Sequence, residues 1–252
     1  MINLYSGDCL EVMDKLISEG VKVDAIITDP PYGKTACKWD SIIPFGKMWE
    51  RLNKLIKHNG AIVLFGSEPF SSALRMSNIK NYKYDWVWDK KKKGGFLNAK
   101  SRPLKQYENI IIFANQKPIY YPLKEVRGKP RNKDGYNKRK GNGDMVYGAF
   151  KSRKSYNNEY YPSDIIEFSN ANQKGKVHPT QKPVALLEYL IKTYTNENET
   201  VLDFTMGSGT TGVACKNTNR NFIGIELDET YYNIATERIE KAHEEKELFR
   251  GD

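Results

Sequence analysis

Residues 200–226 run as a strand, a glycine turn, a helix and a second strand that ends on an acid. Thr200-Val201-Leu202-Asp203-Phe204 is short and apolar, and Met206-Gly207-Ser208-Gly209-Thr210-Thr211 is the turn. Residues 211–217 begin a helix, residues 221–226 make the next strand, and residues 229–241 form a last helix. Two strands joined through a helix lie parallel, because an antiparallel pair needs only a hairpin. Upstream, residues 23–28 read as a buried strand. Residues 45–58 place Phe45, Met48, Trp49, Leu52, Leu55 and Ile56 on one helical face, with Asn59-Gly60 as a stop. Residues 61–65, 85–88 and 109–113 are further strands. Pro183 opens a helix striped by Leu186, Leu187, Leu190, Ile191 and Tyr194. Strands alternating with helices predict an α/β fold with a mostly parallel, doubly wound sheet.

The glycine turn is a ligand site by its chemistry. Glycines let a ligand approach the backbone, and the helix that follows offers free N–H groups to an anionic end. Glu226 closes the next strand 19 residues after Gly207, where nucleoside-binding α/β units keep a carboxylate for ribose hydroxyls. A nucleoside-type cofactor follows. The turn is expected to depart from the dinucleotide pattern G-x-G-x-x-G at its third glycine, which sets a nicotinamide cofactor second.

A second motif, Asp29-Pro30-Pro31-Tyr32, stands at the carboxyl end of the strand 23–28, where ligands collect in open α/β sheets. An exocyclic amine on a nucleobase is a poor nucleophile because its lone pair is delocalised into the ring. Asp29 and the Pro30 carbonyl can accept both amine hydrogens and localise that pair. The prolines fix φ and remove N–H donors, and Tyr32 offers a face for a planar base. Gly33-Lys34-Thr35 resembles the end of a phosphate-binding loop, but position 28, which that pattern requires to be glycine, is Thr28. An ATPase is set aside.

Charge gives the partner. The 252 residues carry a formal net charge of +9. Residues 90–160 hold 19 Lys and Arg against 5 Asp and Glu, while the remainder holds 21 against 26. All the basic excess therefore lies in one internal segment, interleaved with Tyr107, Tyr120, Tyr121, Tyr136, Tyr147, Tyr156 and Tyr160. Such a mixture suits phosphate contact and base stacking. The candidate nucleic-acid contacts are Lys90, Lys91, Lys92, Arg102, Lys105, Arg127, Arg131, Lys138, Arg139, Lys140 and Arg153. Apolar runs of about five residues are far short of the ~20 that cross a bilayer, and no export signal opens the chain, so no membrane partner and a cytoplasmic location are expected. Cys9, Cys37 and Cys215 with three scattered histidines make no zinc spacing, so no metal is expected.

Taken together, the motifs resemble the β class of DNA amino-methyltransferases, which move a methyl group from S-adenosylmethionine to adenine N6 or cytosine N4. The family's order is catalytic tetrad first, target-recognition region next and glycine motif last. Here these fall at Asp29, at residues 115–175 and at residues 203–211, so the resemblance covers nearly the whole chain. It implies a Rossmann-like S-adenosylmethionine-dependent methyltransferase fold in circularly permuted order. Residues 1–114 would be the catalytic half, residues 115–175 a basic target-recognition insertion, and residues 176–252 the cofactor-binding half.

By the same resemblance Asp29, Pro30, Pro31 and Tyr32 hold a target base flipped out of double-stranded DNA. Asp203, Phe204, Thr205, Gly207, Ser208, Gly209, Thr210 and Thr211 line the cofactor, with Glu226 on its ribose. Gly7-Asp8-Cys9-Leu10 is similar to a further cofactor motif, giving Asp8 and Cys9. His178-Pro179-Thr180-Gln181-Lys182-Pro183 is similar to the stretch that closes the methionine end, giving Thr180 and Lys182. The family usually has Asp-Pro-Phe before its Met-Gly-Ser-Gly, whereas Asp203-Phe204-Thr205 moves the aromatic by one place; cofactor binding is expected to survive. Asp in the first tetrad position is more typical of adenine enzymes, with a cytosine N4 enzyme or an RNA adenine methyltransferase as alternatives. The class also admits a homodimer and a companion restriction nuclease.

Overall fold

The structure, a computed structural model, describes residues 1–34, 40–133, 155–170 and 181–248. The chain forms two compact units, one of residues 1–121 with 164–252 and one of Pro122–Ser163.

In the larger unit the elements run β1 (Ile2–Ser6), α1 (Cys9–Ser18), β2 (Val23–Thr28), α2 (Phe45–Leu55), β3 (Ile56–Gly66), α3 (Phe70–Ser77), β4 (Tyr82–Gly94) and β5 (Lys105–Phe113). After the smaller unit, with β6 (Glu125–Lys133) and β7 (Ser155–Tyr160), come β8 (Ile165–Glu167), α4 (Val184–Tyr194), β9 (Thr200–Asp203), α5 (Thr210–Asn217), β10 (Asn221–Glu226) and α6 (Glu229–Leu248). The main sheet has the order β1-β10-β9-β2-β3-β5-β4-β8. The run from β1 to β3 is parallel throughout, and β5 is antiparallel to both its neighbours. The C-terminal strands β9 and β10 insert between β1 and β2, which are consecutive in sequence. That insertion brings residues from both ends of the chain to one sheet edge.

Alternation along the strands divides the core into two faces. Ala25 and Ile27 of β2, with Val63 and Phe65 of β3, pack with Leu186, Leu190, Ala214 and Ile239 from α4, α5 and α6. Ile26, Ile62, Leu64 and Leu202 pack with Met13, Leu16, Trp49, Leu52 and Leu74 from α1, α2 and α3. Strands covered on both faces become continuously apolar, and all six residues of β2 are buried. Helices on both faces make the doubly wound α/β architecture that the alternation of elements predicts.

Several boundaries differ from the sequence reading. Helix α2 ends at Leu55 and β3 starts at Ile56, because Ile56 pairs with Val23 ahead of a register shift that ends at Ala61 opposite Ala25. Residues 115–121 and 164–170 belong to the larger unit, so its borders lie inside the segment 115–175. Ile119 N–H donates to the Asn59 carbonyl at 3.0 Å and Tyr121 N–H to that of Thr193 at 2.8 Å, while β8 extends the main sheet beside β4. The smaller unit is built on the antiparallel pair β6 and β7. No helix among the described residues is long and apolar enough to cross a membrane.

Candidate active site

Four adjacent strand tips build one cavity. Asp8 follows β1, Asp29 follows β2, the turn 204–209 follows β9, and Glu226 ends β10. A cavity of about 440 Å³ opens among them, lined by Asp8, Cys9, Asp29, Pro30, Pro31, Tyr32, Lys182, residues 204–208 of the turn and Glu226. That is the size of a small-molecule site, and it stands outside the carboxyl ends of the strands as in other open α/β sheets.

The tetrad forms one wall. Tyr32 Oη donates to Asp29 Oδ1, and Lys182 Nζ donates to Asp29 Oδ2. Lys182 also stands 3.5 Å from Glu108 Oε2 and 5.1 Å from the centre of the Phe65 ring. Lys90 Nζ donates to the other Glu108 oxygen at 3.0 Å. Burial pushes the Asp29 carboxyl up, against the pull of Lys182, while Glu108 pushes the same way as burial. The two carboxylates hold Lys182 protonated, its pKa raised despite the opposing effect of burial. The tip is therefore a buried charge ladder of alternating sign, from Asp29 through Lys182 and Glu108 to Lys90.

Asp203 clamps the tip to the glycine turn. Its Oδ1 accepts from Thr28 Oγ1 at 2.6 Å and from Thr205 N–H at 3.2 Å, and its Oδ2 accepts from Thr211 Oγ1 at 2.6 Å. Thr205 Oγ1 in turn donates to the Asp29 carbonyl at 3.2 Å. Burial pushes the Asp203 carboxyl up to about 6. The displaced aromatic, Phe204, is buried in the α1–α3 face of the core and still reaches the cavity wall.

The glycines divide into two jobs. Gly207 has φ +53° and open space where a Cβ would stand, and its N–H donates to Glu226 Oε2 at 2.8 Å. Gly209 has φ +76°, and a Cβ there would meet Ala235 Cβ at 2.9 Å. It is not among the cavity-lining residues; it lets α5 approach α6. Gly212 is likewise packed, and a Cβ there would meet Ile239 Cδ1 at 2.3 Å. Asp8 caps α1, its Oδ1 accepting from Leu10 and Glu11 N–H at 2.8 and 3.2 Å. Cys9, on the wall beside it, has its thiol pushed up to about 12 by burial and by Asp8.

Comparison with known proteins decides the family. Residues 23–237 match the N6/N4 DNA methylase family. The chain belongs to that family. It is 29% identical to the Type II methyltransferase M1.MboII of Moraxella bovis, over 92% of this chain and 94% of that one. It is 29% identical to the Type II methyltransferase M.HpaI of Haemophilus parainfluenzae, over 86% of this chain and 68% of that one. The crystal structure of the M1.HpyAVI–SAM complex superposes with a TM-score of 0.66 at 32% identity, covering 94% of this chain and all of that one. The cytosine-N4-specific PvuII DNA methyltransferase has the same fold, with a TM-score of 0.64 at 16% identity over 96% of this chain and 91% of that one.

Within this methylase, one sequence expectation is corrected. Gly207, Gly209 and Gly212 do hold the spacing G-x-G-x-x-G, so glycine spacing does not set aside a nicotinamide cofactor; family membership does. Of the expected cofactor residues, Asp8, Cys9, Lys182, Asp203, Phe204, Thr205, Gly207, Ser208, Thr210, Thr211 and Glu226 line the cavity. Thr180 lies outside the described residues.

Sequence reasoning missed Glu108, whose one signal is being the sole acid between Lys90 and Lys124. It also missed Arg238, which donates from α6 to the Ser208 carbonyl and, at 2.9 Å, to Ser208 Oγ.

The basic residues separate by what holds them. Lys90 is paired with Glu108, Lys91 with Glu167 at 2.7 Å, and Lys105 Nζ donates to Ser67 Oγ. Lys92 and Arg102 are exposed. In the smaller unit Arg127 pairs with Glu125, and Arg127 and Arg131 approach the Tyr160 ring at 5.6 and 5.7 Å. Lys138, Arg139, Lys140 and Arg153 lie outside the described residues.

Proposed function

We propose that this chain methylates the N6 amine of adenine in double-stranded DNA, with S-adenosylmethionine as methyl donor. The observation that carries it is the Asp29 backbone at a strand tip, its carbonyl pinned through Thr205 and Asp203 to the glycine turn of the cavity that the Asp29 side chain also lines. An amine acceptor and a nucleoside pocket are thereby held at a fixed separation.

The residues present fit the cofactor. Glu226 has its carboxylate braced by Gly207 N–H and by Asp228 N–H at 2.9 Å, leaving further lone pairs for ribose hydroxyls. Open space beyond Gly207 lets a ligand reach the backbone. Asp8 stands at the far wall for an adenine amine. When bound, S-adenosylmethionine supplies an electrophilic methyl group on a sulfonium.

The chain's own residues do the rest. Asp29 and the Pro30 carbonyl hold the amine hydrogens, and Tyr32 stacks on the base. The N–C bond would form as the methyl–sulfur bond breaks and a neutral thioether leaves; the amine must then shed a proton, which the Asp29 carboxylate would accept. Positioning of this kind is worth several kcal/mol. Bringing the base out of the stack costs a few kcal/mol, which phosphate contacts offset.

Adenine is favoured over cytosine by the aspartate in the first tetrad position. The test is nucleoside mass spectrometry on DNA and RNA incubated with the protein and S-adenosylmethionine. N6-methyladenine in DNA is expected; N4-methylcytosine, or methylation of RNA alone, would overturn the reading.

A further inference from the structure

The hairpin between β4 and β5 ends in two adjacent apolar side chains that nothing among the described residues covers. Gly95, at φ +83°, turns the chain into a single 3-10 turn of Phe96–Asn98. Leu97 at its apex is fully exposed and Phe96 is 66% exposed. Large apolar groups side by side at a loop tip mark a contact surface.

The charge around them narrows the partner. Residues 90–107 hold seven Lys or Arg and no Asp or Glu. Lys92, Lys93, Lys100 and Arg102 are exposed and make no ion pair among the described residues, so they are available to phosphates. A polyanion fits that rim, and an apolar wedge inside a basic rim fits a stacked duplex, where such side chains enter between base steps.

The roots of the hairpin end at the catalytic cavity. Lys105 pairs in register with Gly94 and donates to Ser67 Oγ. Ser67 Oγ also accepts from Lys34, on the cavity wall, at 2.9 Å. On the other strand Lys90 joins the ladder through Glu108 and Lys182 to Asp29. The tip is thus tied by two short side-chain paths to the group that receives the base.

We propose that Phe96 and Leu97 form a wedge that enters the DNA stack and holds open the place vacated by the target base. This rests on the reading of the cavity as a DNA amino-methyltransferase site. A wedge lowers the cost of unpairing, so it matters most where the target base is paired and least where it is already free.

The experiment first locates the methylated base in genomic DNA by base-resolved detection, then compares two 30-bp duplexes carrying that site. One is fully paired and the other has the target base opposite an abasic site. For the double variant Phe96→Ala, Leu97→Ala, methylation of the paired duplex is expected to fall about tenfold or more. On the abasic duplex it should fall less than about threefold, with S-adenosylmethionine affinity unchanged and Leu97→Met near wild type.

Equal loss on both duplexes, or no loss on either, would overturn the wedge while wild-type activity upheld the function. So would a change of mass in solution with flipping preserved, which would make the tip a subunit contact. A wild-type protein that methylates neither duplex would instead overturn the function.

Discussion

The Lys182 ammonium donates to the Asp29 carboxylate across 153 positions of sequence, occupying one of the acceptor sites that a target amine needs. Glu108 competes for the same ammonium, 3.5 Å away. Lys182 thus sits between the carboxylate proposed to receive substrate and one with a buried oxygen lacking a hydrogen bond. Removing either partner of such a buried pair leaves an uncompensated charge, so each of the three groups fixes the charge state of the others.

That arrangement fixes the sign of two pH effects. In the proposed reaction Asp29 is ionised to accept amine hydrogens, so its titration should set the acid limb of the rate profile. Lys182 pulls the Asp29 carboxyl down and Glu108 pushes it up, with the Tyr32 hydroxyl also favouring the ionised form. Lys182→Met should move the acid limb to higher pH, and Glu108→Gln should move it to lower pH. Single-turnover rates at saturating cofactor measure both. Shifts in the same direction would refute the ladder.

Asp203 gives a stability effect of opposite sense to the usual carboxylate. Its folded pKa, about 6, stands above the ordinary 3.8, so the folded state holds the proton more tightly than the unfolded chain. Its contribution is present below pH 4 and is lost as pH rises through 6. Relative to Asp203→Asn, the wild type should gain roughly 2–4 kcal/mol on going from pH 7 to pH 4. Urea denaturation of both proteins at the two pH values checks this. A difference that does not change with pH would remove the burial argument.

The two glycines of the turn should fail differently. Gly209→Ala places a methyl 2.9 Å from Ala235 Cβ at a left-handed φ, combining overpacking with strain, and should cost about 2–4 kcal/mol of stability. Gly207→Ala meets nothing within 4 Å and should cost only about 1–2 kcal/mol. Its methyl enters the cavity, so cofactor affinity should fall by about tenfold, roughly 1.4 kcal/mol. Thermal melts and calorimetric titration separate the two. Equal melting temperatures would contradict the packing assigned to Gly209.

The sequence made the fold legible wherever local pattern and burial agree. β2 is apolar because it is central, and α4 shows its stripe because one face meets the sheet. The tetrad and the turn were legible because both sit at strand tips, where a motif and a boundary coincide. β3 was harder, since Lys57-His58-Asn59-Gly60 reads as a helix end and its pairing depends on a register shift between the Val23 and Ala25 pairs. Glu108 was hidden for another reason: a lone acid in a basic strand reads as surface, and only the tertiary fold carries Lys182 to it. Asp203 reads as a ligand carboxylate, yet its three internal donors make it a clamp.

The same distinction between paired and unpaired cations predicts how DNA binding responds to salt. Each lysine or arginine that neutralises a phosphate adds about 0.9 to the slope of log affinity against log salt. Lys92 and Arg102 are exposed at the β4–β5 hairpin, so Lys92→Ala and Arg102→Ala should each lower the slope by about 0.9. Lys90 spends its charge on Glu108 at 3.0 Å, so Lys90→Ala should leave the slope unchanged. It should slow methylation instead, because Glu108 then draws Lys182 differently from Asp29. Fluorescence anisotropy with a labelled duplex between 50 and 200 mM salt, about the range over which such slopes are read, separates the two behaviours. A slope that drops with Lys90→Ala and not with Arg102→Ala would invert the assignment and place the DNA on the ladder side of the strand.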